Sequence, residues 1–132
     1  MRIRTPRERW FRFDDDPDGG SILIRQLTPG DRQDIFDETI KQEIVYRPSK
    51  SGDDEPVVRQ SNDLKRDREL TFTRAIIDWK EFYDENGNTL ECNEENIMKA
   101  VRSIDGFSAA VKRFMADLDK ILEAEDKDQE KN

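Results

Sequence analysis

Phe107, Ala110, Val111, Phe114, Met115, Leu118, Ile121 and Leu122 recur at steps of three and four. This commits the carboxyl-terminal part of the chain to an amphipathic helix with one broad apolar face. A helix gains most of its stability from burying such a face rather than from propensity, so the stripe needs a cover. Two β-prone runs near the amino terminus offer one: Arg9 to Phe13 (RWFRF) and Ser21 to Leu27 (SILIRQL), separated by DDDPDGG, whose Pro and Gly favour a reversal. The expectation is an amino-terminal β-hairpin packed on a helix-rich carboxyl-terminal half, an α+β fold.

Between these ends the punctuation is regular. Thr28 followed by Pro29 opens a helix in which Ile35, Phe36, Thr39, Ile40 and Ile44 recur at helical spacing, and that helix is expected to face the hairpin. Pro48 and SKSGDDEP end the order, so residues 49–62 read as an exposed mobile loop with at most a short strand at Val57 and Val58. From Asp63 the pattern is helical again, with Phe72, Ala75, Ile76, Trp79 and Tyr83 on one stripe that runs to the turn DENGN. In that turn Asn86 and Gly87 tolerate positive φ, and a short strand fits at Thr89 to Glu91. Asn93 then caps a helix with Glu94 and Glu95 in its first turn and Ile97, Val101 and Ile104 on its buried face. Asp105 and Gly106 break it before the last helix. The expected organisation is one domain over residues 1–124, made of a hairpin plus helix (1–48), the mobile loop (49–62) and a helical part (63–124), with a charged disordered tail at 125–132.

Composition narrows the function classes. The 132 residues are 41% charged, with a net charge of -8 and a mean hydropathy of -1.01, yet Leu, Ile, Val and Phe exceed a fifth of the chain. That describes a small core under a heavily solvated surface. Cys92 is the sole cysteine and there is no histidine, which removes an internal disulfide, imidazole catalysis and the usual zinc sites. No apolar run approaches the roughly 20 residues that span a bilayer, and MRIRTPRERWFRF lacks the apolar core of a signal peptide. A soluble protein, not secreted by that route, is expected. Arg2, Arg4, Arg7, Arg9 and Arg12 face only Glu8 at the amino end, whereas the carboxyl end is acidic. The arginine arm suits phosphate contacts or, more simply, the outward positions of a strand.

Candidate chemistry is sparse. Asp14, Asp16, Asp18 and Gly19 match the first half of a calcium-binding loop, but the twelfth position is Arg25 where a bidentate Glu is needed. Trp79, Phe82 and Tyr83 are surrounded by Asp78, Glu81, Asp84 and Glu85, which would repel a nucleic-acid backbone. Trp79 reads as core and Phe82 as an exposed contact. No catalytic residue, cofactor site or metal site is expected. The terminal stripe is wider than the seam a small domain needs, and Met suits adaptable grooves, so Phe107, Val111, Phe114, Met115 and Leu118, with Phe82, are the candidate partner-binding residues.

The stretch from Ala75 to Leu118 resembles the tail assembly chaperones of long-tailed bacteriophages. The resemblance rests on IIDWKEFYDENGNTL with Trp79, on the polar helix start CNEENIMKAV and on the terminal FSAAVKRFMADL; the opening SILIRQLTPGDRQDIF is similar as well. It extends over most of residues 21–122, and departs from the family in the arm 1–12 and in the charged insertion 49–62. The resemblance implies a non-enzymatic protein of the bacterial host cytoplasm, absent from the mature virion, that coats the tape measure protein and helps recruit tail tube protein. Many members of that family are also made as a longer frameshifted product, and residues 123–132 are where such an extension would join. Self-association is left open, nucleic acid is not expected as a partner, and no membrane is involved. The alternatives are a nucleic-acid-associated phage factor using the arginine arm and a small structural head or tail completion protein.

Overall fold

A computed structural model describes residues 1–131, with side chains through Glu130. The fold is α+β, and the chain divides into two compact units. The first joins Met1–Thr28 to the chain from Phe72 onward; the second is Pro29–Thr71.

In the first unit β1 (Glu8–Arg12), β2 (Ser21–Arg25) and β5 (Ile76–Lys80) form an antiparallel sheet in the order β1-β2-β5. The β1–β2 hairpin is the one expected from RWFRF and SILIRQL. Phe11 pairs with Ile22 and Ile22 with Trp79, so these three side chains share the sheet face that is covered by helix α4 (Phe107–Lys131). The loop between β1 and β2 closes on itself. Asp16 accepts from the backbone N–H of Asp18 (3.1 Å) and of Gly20 (2.8 Å), and a Cβ at Gly20 would stand 2.6 Å from that carboxylate and 3.1 Å from the Phe82 ring. Glycine is required there by close approach, with its φ in the ordinary range.

The helical stripe expected from Phe72 to Tyr83 is corrected. Helix α2 (Leu64–Ala75) stops at Ala75 and β5 follows immediately. The period misleads because β5 is irregular: Leu23 pairs with Asp78 but Ile24 with Ile76, which leaves Ile77 as an extra residue. A bulge of this kind turns the strand period of two into a step of three, so Ile76 and Trp79 both point inward although they stand on a strand. Beyond it, Glu81 adopts φ 59 and turns the chain back under the sheet. The turn at Asp84 is as expected, with Asp84 accepting from the N–H groups of Asn86 and Asn88 and Gly87 at φ 81. A single bridge, Tyr83 with Thr89, stands where a strand was expected.

Asn93 caps α3 (Glu94–Ser103) by accepting from the N–H of Asn96 at 2.8 Å. Ile97 and Ala100 are buried as its apolar positions require, while Ile104, expected in that face, lies beyond the helix and is exposed. Helix α4 then runs without a break to Lys131. Residues 125–131 are therefore helical, in place of the expected disordered tail, and the reason is electrostatic. The Arg7 guanidinium donates to both oxygens of Asp126 (2.9 and 3.1 Å), and Arg9 donates to both oxygens of Glu125 (2.8 and 2.9 Å). Such paired charge-assisted bonds fix geometry as well as sign. The two arginines expected to point outward from a strand thus lie along the last turns of α4.

This clamp carries a pH dependence. Arg7 holds the Asp126 carboxyl below its usual range, chiefly through their side-chain hydrogen bond. A carboxylate with a depressed folded pKa contributes stability above its unfolded pKa and loses it as pH falls through the folded value. The last turns of α4 are therefore expected to stay ordered through the ordinary carboxylate range and to fray as pH falls below it. Residue-resolved amide exchange over 123–130 reads this out, and Arg7→Ala should show the same fraying already at neutral pH with Asp126 titrating in the ordinary carboxylate range. An Asp126 midpoint that Arg7→Ala leaves unchanged would refute the clamp.

In the second unit, α1 (Pro29–Thr39) passes directly into β3 (Ile40–Pro48), which pairs along its whole length with β4 (Asp54–Asn62). Ile40 and Ile44, expected on the helix, are therefore strand residues. The Thr39 hydroxyl donates back to the carbonyl of Ile35 (2.8 Å), and its own carbonyl accepts from the N–H of Asp63 (2.9 Å), so the base of the hairpin is pinned where the helix ends. Asp63 caps the start of α2 through the N–H of Arg66, and Arg66 also reaches Glu38 at 3.7 Å. Residues 49–62, expected as a loop, are thus a tight turn at Ser49–Asp53 followed by a nine-residue strand, of which the Val57–Val58 pair was the legible part.

Candidate partner-binding surface

The aromatic residues near Trp79 are packed as a core. The Trp79 and Phe82 rings stack with centroids 4.3 Å apart, and the indole N–H donates to the carbonyl of Leu90 at 2.8 Å. Phe82 is 8% exposed, so its expected role as an exposed contact is corrected: the turn at Glu81 folds it beneath Trp79. Phe13 stacks on Phe107 (5.6 Å) and meets Phe114 edge-on (5.2 Å), and Phe11 stacks on Phe114 (5.1 Å).

Phe107, Val111, Phe114 and Leu118 are accordingly buried, and Met115 alone among the six candidate residues is half-exposed at the rim of that core. The width of the stripe is accounted for internally. Three strands and the aromatic residues of β1 cover more of α4 than the sequence pattern of a small domain suggests.

Other sequence candidates are also placed. Both oxygens of Asp16 are turned onto loop amides, and among the described residues no group of three acidic or cysteine side chains converges to hold a cation. Burial, with the Asp78 carboxylate nearby, pushes the Cys92 thiol up to about 11; a thiol held protonated is a weak nucleophile at neutral pH. Among the described residues no helix is long and apolar enough to cross a membrane.

The surface that sequence reasoning missed is the β3–β4 hairpin. In an antiparallel pair, opposed residues share a face. Ile44 opposite Val58 and Tyr46 opposite Pro56 make one face apolar, while on the other face Glu43 opposite Arg59 and Arg47 opposite Glu55 flank the Val45–Val57 pair with charge. The apolar face is bare: Ile44 is 65%, Tyr46 66% and Val58 68% exposed. A two-stranded hairpin with solvent on both faces is marginal by itself, and these strands are nine residues long with cross-strand apolar pairs that nothing in the chain covers among the described residues. Exposed apolar side chains grouped in this way make this face the candidate surface for an interaction. The available signal in the sequence was the alternation Ile44, Tyr46 and the run Pro56, Val57, Val58, set within charged neighbours.

The chain matches no family model, no curated protein and no solved structure.

Proposed function

We propose that this chain is a tail assembly chaperone of a long-tailed bacteriophage or prophage, a non-enzymatic protein that binds the tape measure protein and supports tail tube assembly in the host cytoplasm before leaving the finished particle. Support for the reading comes from two sides. The segments between Ala75 and Leu118 that carry the resemblance are consecutive elements of one unit: β5 and its turn, the capped α3, and α4. The observation that carries the binding role is the bare apolar face of Ile44, Tyr46 and Val58. An apolar stripe of a client helix laid on that face would be removed from water, and the charged opposite face, together with the whole chain's net charge of -8, would keep the complex soluble. The client contact is thereby assigned to the hairpin, because the α4 stripe is already covered by the chain itself.

The test is co-expression with the tape measure protein of its own phage. The unmodified chain should bring the client into the soluble fraction. The double variant Ile44→Asp with Val58→Asp should leave helix content by circular dichroism unchanged, since both side chains are exposed, and should lose most of that rescue. No rescue by either form would sink the assignment. Recovery of the chain in stoichiometric amounts from purified particles would favour a structural completion protein instead.

A further inference from the structure

The hairpin has two open edges as well as an open face, and the two edges are unequal. The bonds that bracket the ladder, from Asp63 N–H to the Thr39 carbonyl (2.9 Å) and from Ser49 N–H to the Asp53 carbonyl (3.2 Å), fix its alternation. Thr39 and Ser49 bond across to the β4 side, so the odd residues of β3 face β4 and its even residues turn their N–H and C=O groups outward. Gln42, Ile44 and Tyr46 therefore present an unbroken run of donors and acceptors. On β4 the outward set includes Pro56, which lacks an N–H. A proline at that position interrupts an edge and protects it from pairing; β3 carries no such block until its last residue, Pro48.

From this edge we infer that the chain pairs with a second copy of itself, β3 against β3 across a two-fold axis at Val45, giving a four-stranded sheet in the order β4-β3-β3-β4. The sequence of β3 is self-complementary in this register. Val45 meets Val45 of the second copy, Ile44 meets Tyr46, and Glu43 meets Arg47. Ile44 and Tyr46 exchange both backbone bonds, and Gln42 donates to the carbonyl of Pro48, the one backbone group a proline can offer. Two other registers are worse. Centring on Ile44 sets Lys41 against Arg47, and centring on Glu43 opposes two glutamates, like-charge pairs that destabilise a ladder.

Pairing through the edge also leaves the apolar face unobstructed. Ile44, Tyr46, Pro56 and Val58 of the two copies become one continuous surface, because directly opposed residues share a face. The inference does not depend on the identity of the client, and it is read on the free protein.

Two measurements test it. In a Cys92→Ala background, Val45→Cys should form a covalent dimer under mild oxidation, since a non-hydrogen-bonded antiparallel pair brings Cα atoms to about 4.5 Å, within disulfide reach. Val57→Cys, opposite Val45 in the same hairpin but one strand further from the axis, should not. Equal cross-linking of the two, or none at Val45→Cys, overturns the register. Sedimentation supplies the second measurement. Glu43→Arg or Arg47→Glu alone should weaken dimerisation about tenfold, because the two-fold axis applies each clash twice although a single exposed ion pair is weak. The double variant Glu43→Arg/Arg47→Glu should restore it. Within one hairpin that double variant sets an arginine opposite Arg59 and a glutamate opposite Glu55, like-charge pairs both, so restoration can come only from contact between copies. A chain that sediments as a monomer at every concentration, or a double variant no better than the singles, overturns the inference.

Discussion

Trp79→Ala is expected to cost about 3–5 kcal/mol, the usual range for truncating a buried large aromatic. The side chain is 6% exposed, stacks on Phe82 at 4.3 Å, and gives its indole proton to Leu90. Its removal opens a cavity in the core and also frees the segment 82–90, which the indole bond ties to β5 and which is otherwise closed on itself by Leu90 N–H to the Phe82 carbonyl. For a domain whose whole stability is roughly 5–15 kcal/mol, a loss of that size moves the urea midpoint far down and can leave a fraction of the protein unfolded in buffer. Trp79→Phe keeps most of the packing and loses the donor, so it should cost about 1–2 kcal/mol. Chemical denaturation followed by circular dichroism separates the two variants. A Trp79→Ala protein with an unchanged midpoint would mean that Trp79 is not part of the core.

The elements that the sequence made legible are those whose signals are local. The β1–β2 hairpin, the Asp84–Gly87 turn, the Asn93 cap and the start of α4 are each written within a few residues, as a turn residue, a cap or a short periodic run. The parts that were misread depend on something distant or irregular. The stripe from Phe72 to Trp79 kept a helical period across a helix and a bulged strand, because the extra residue at Ile77 restores a step of three. Phe82 is buried by one unusual backbone angle at Glu81. The last turns of α4 read as a solvated acidic tail until Arg7 and Arg9, more than a hundred residues earlier, are brought alongside them. The β3–β4 strands were the hardest to see. With solvent on both faces their alternation is short, Ile44 and Tyr46 on β3 and the run Pro56–Val58 on β4, set among charged neighbours, and only Val57 among β4 residues is partly covered.

That same exposure makes the hairpin separable from the rest of the fold by mutation. Replacing Lys41–Ser61 with a four-residue Gly-Ser turn is expected to leave the thermal unfolding of the Trp79 core within about 1 kcal/mol of the intact chain, as substitutions on open surface do. The ends to be joined are already adjacent, since Asp63 N–H bonds the Thr39 carbonyl at 2.9 Å. A shorter connection also lowers the closure entropy, which offsets part of whatever the hairpin contributes. Against that small effect on stability stands a large one on binding: the shortened chain should lose both the client rescue and the self-association, because Ile44, Tyr46, Val58 and the β3 edge leave together. The two losses can be told apart by point variants, with Val58→Asp, which stands on β4 away from the β3 edge, removing rescue and Glu43→Arg removing association. If the shortened protein still keeps the client soluble as well as the intact one does, the client surface lies in the unit built around α4, with half-exposed Met115 as the position to probe next. If it unfolds at far lower temperature, the hairpin is a structural part of the domain and its bare face has another explanation.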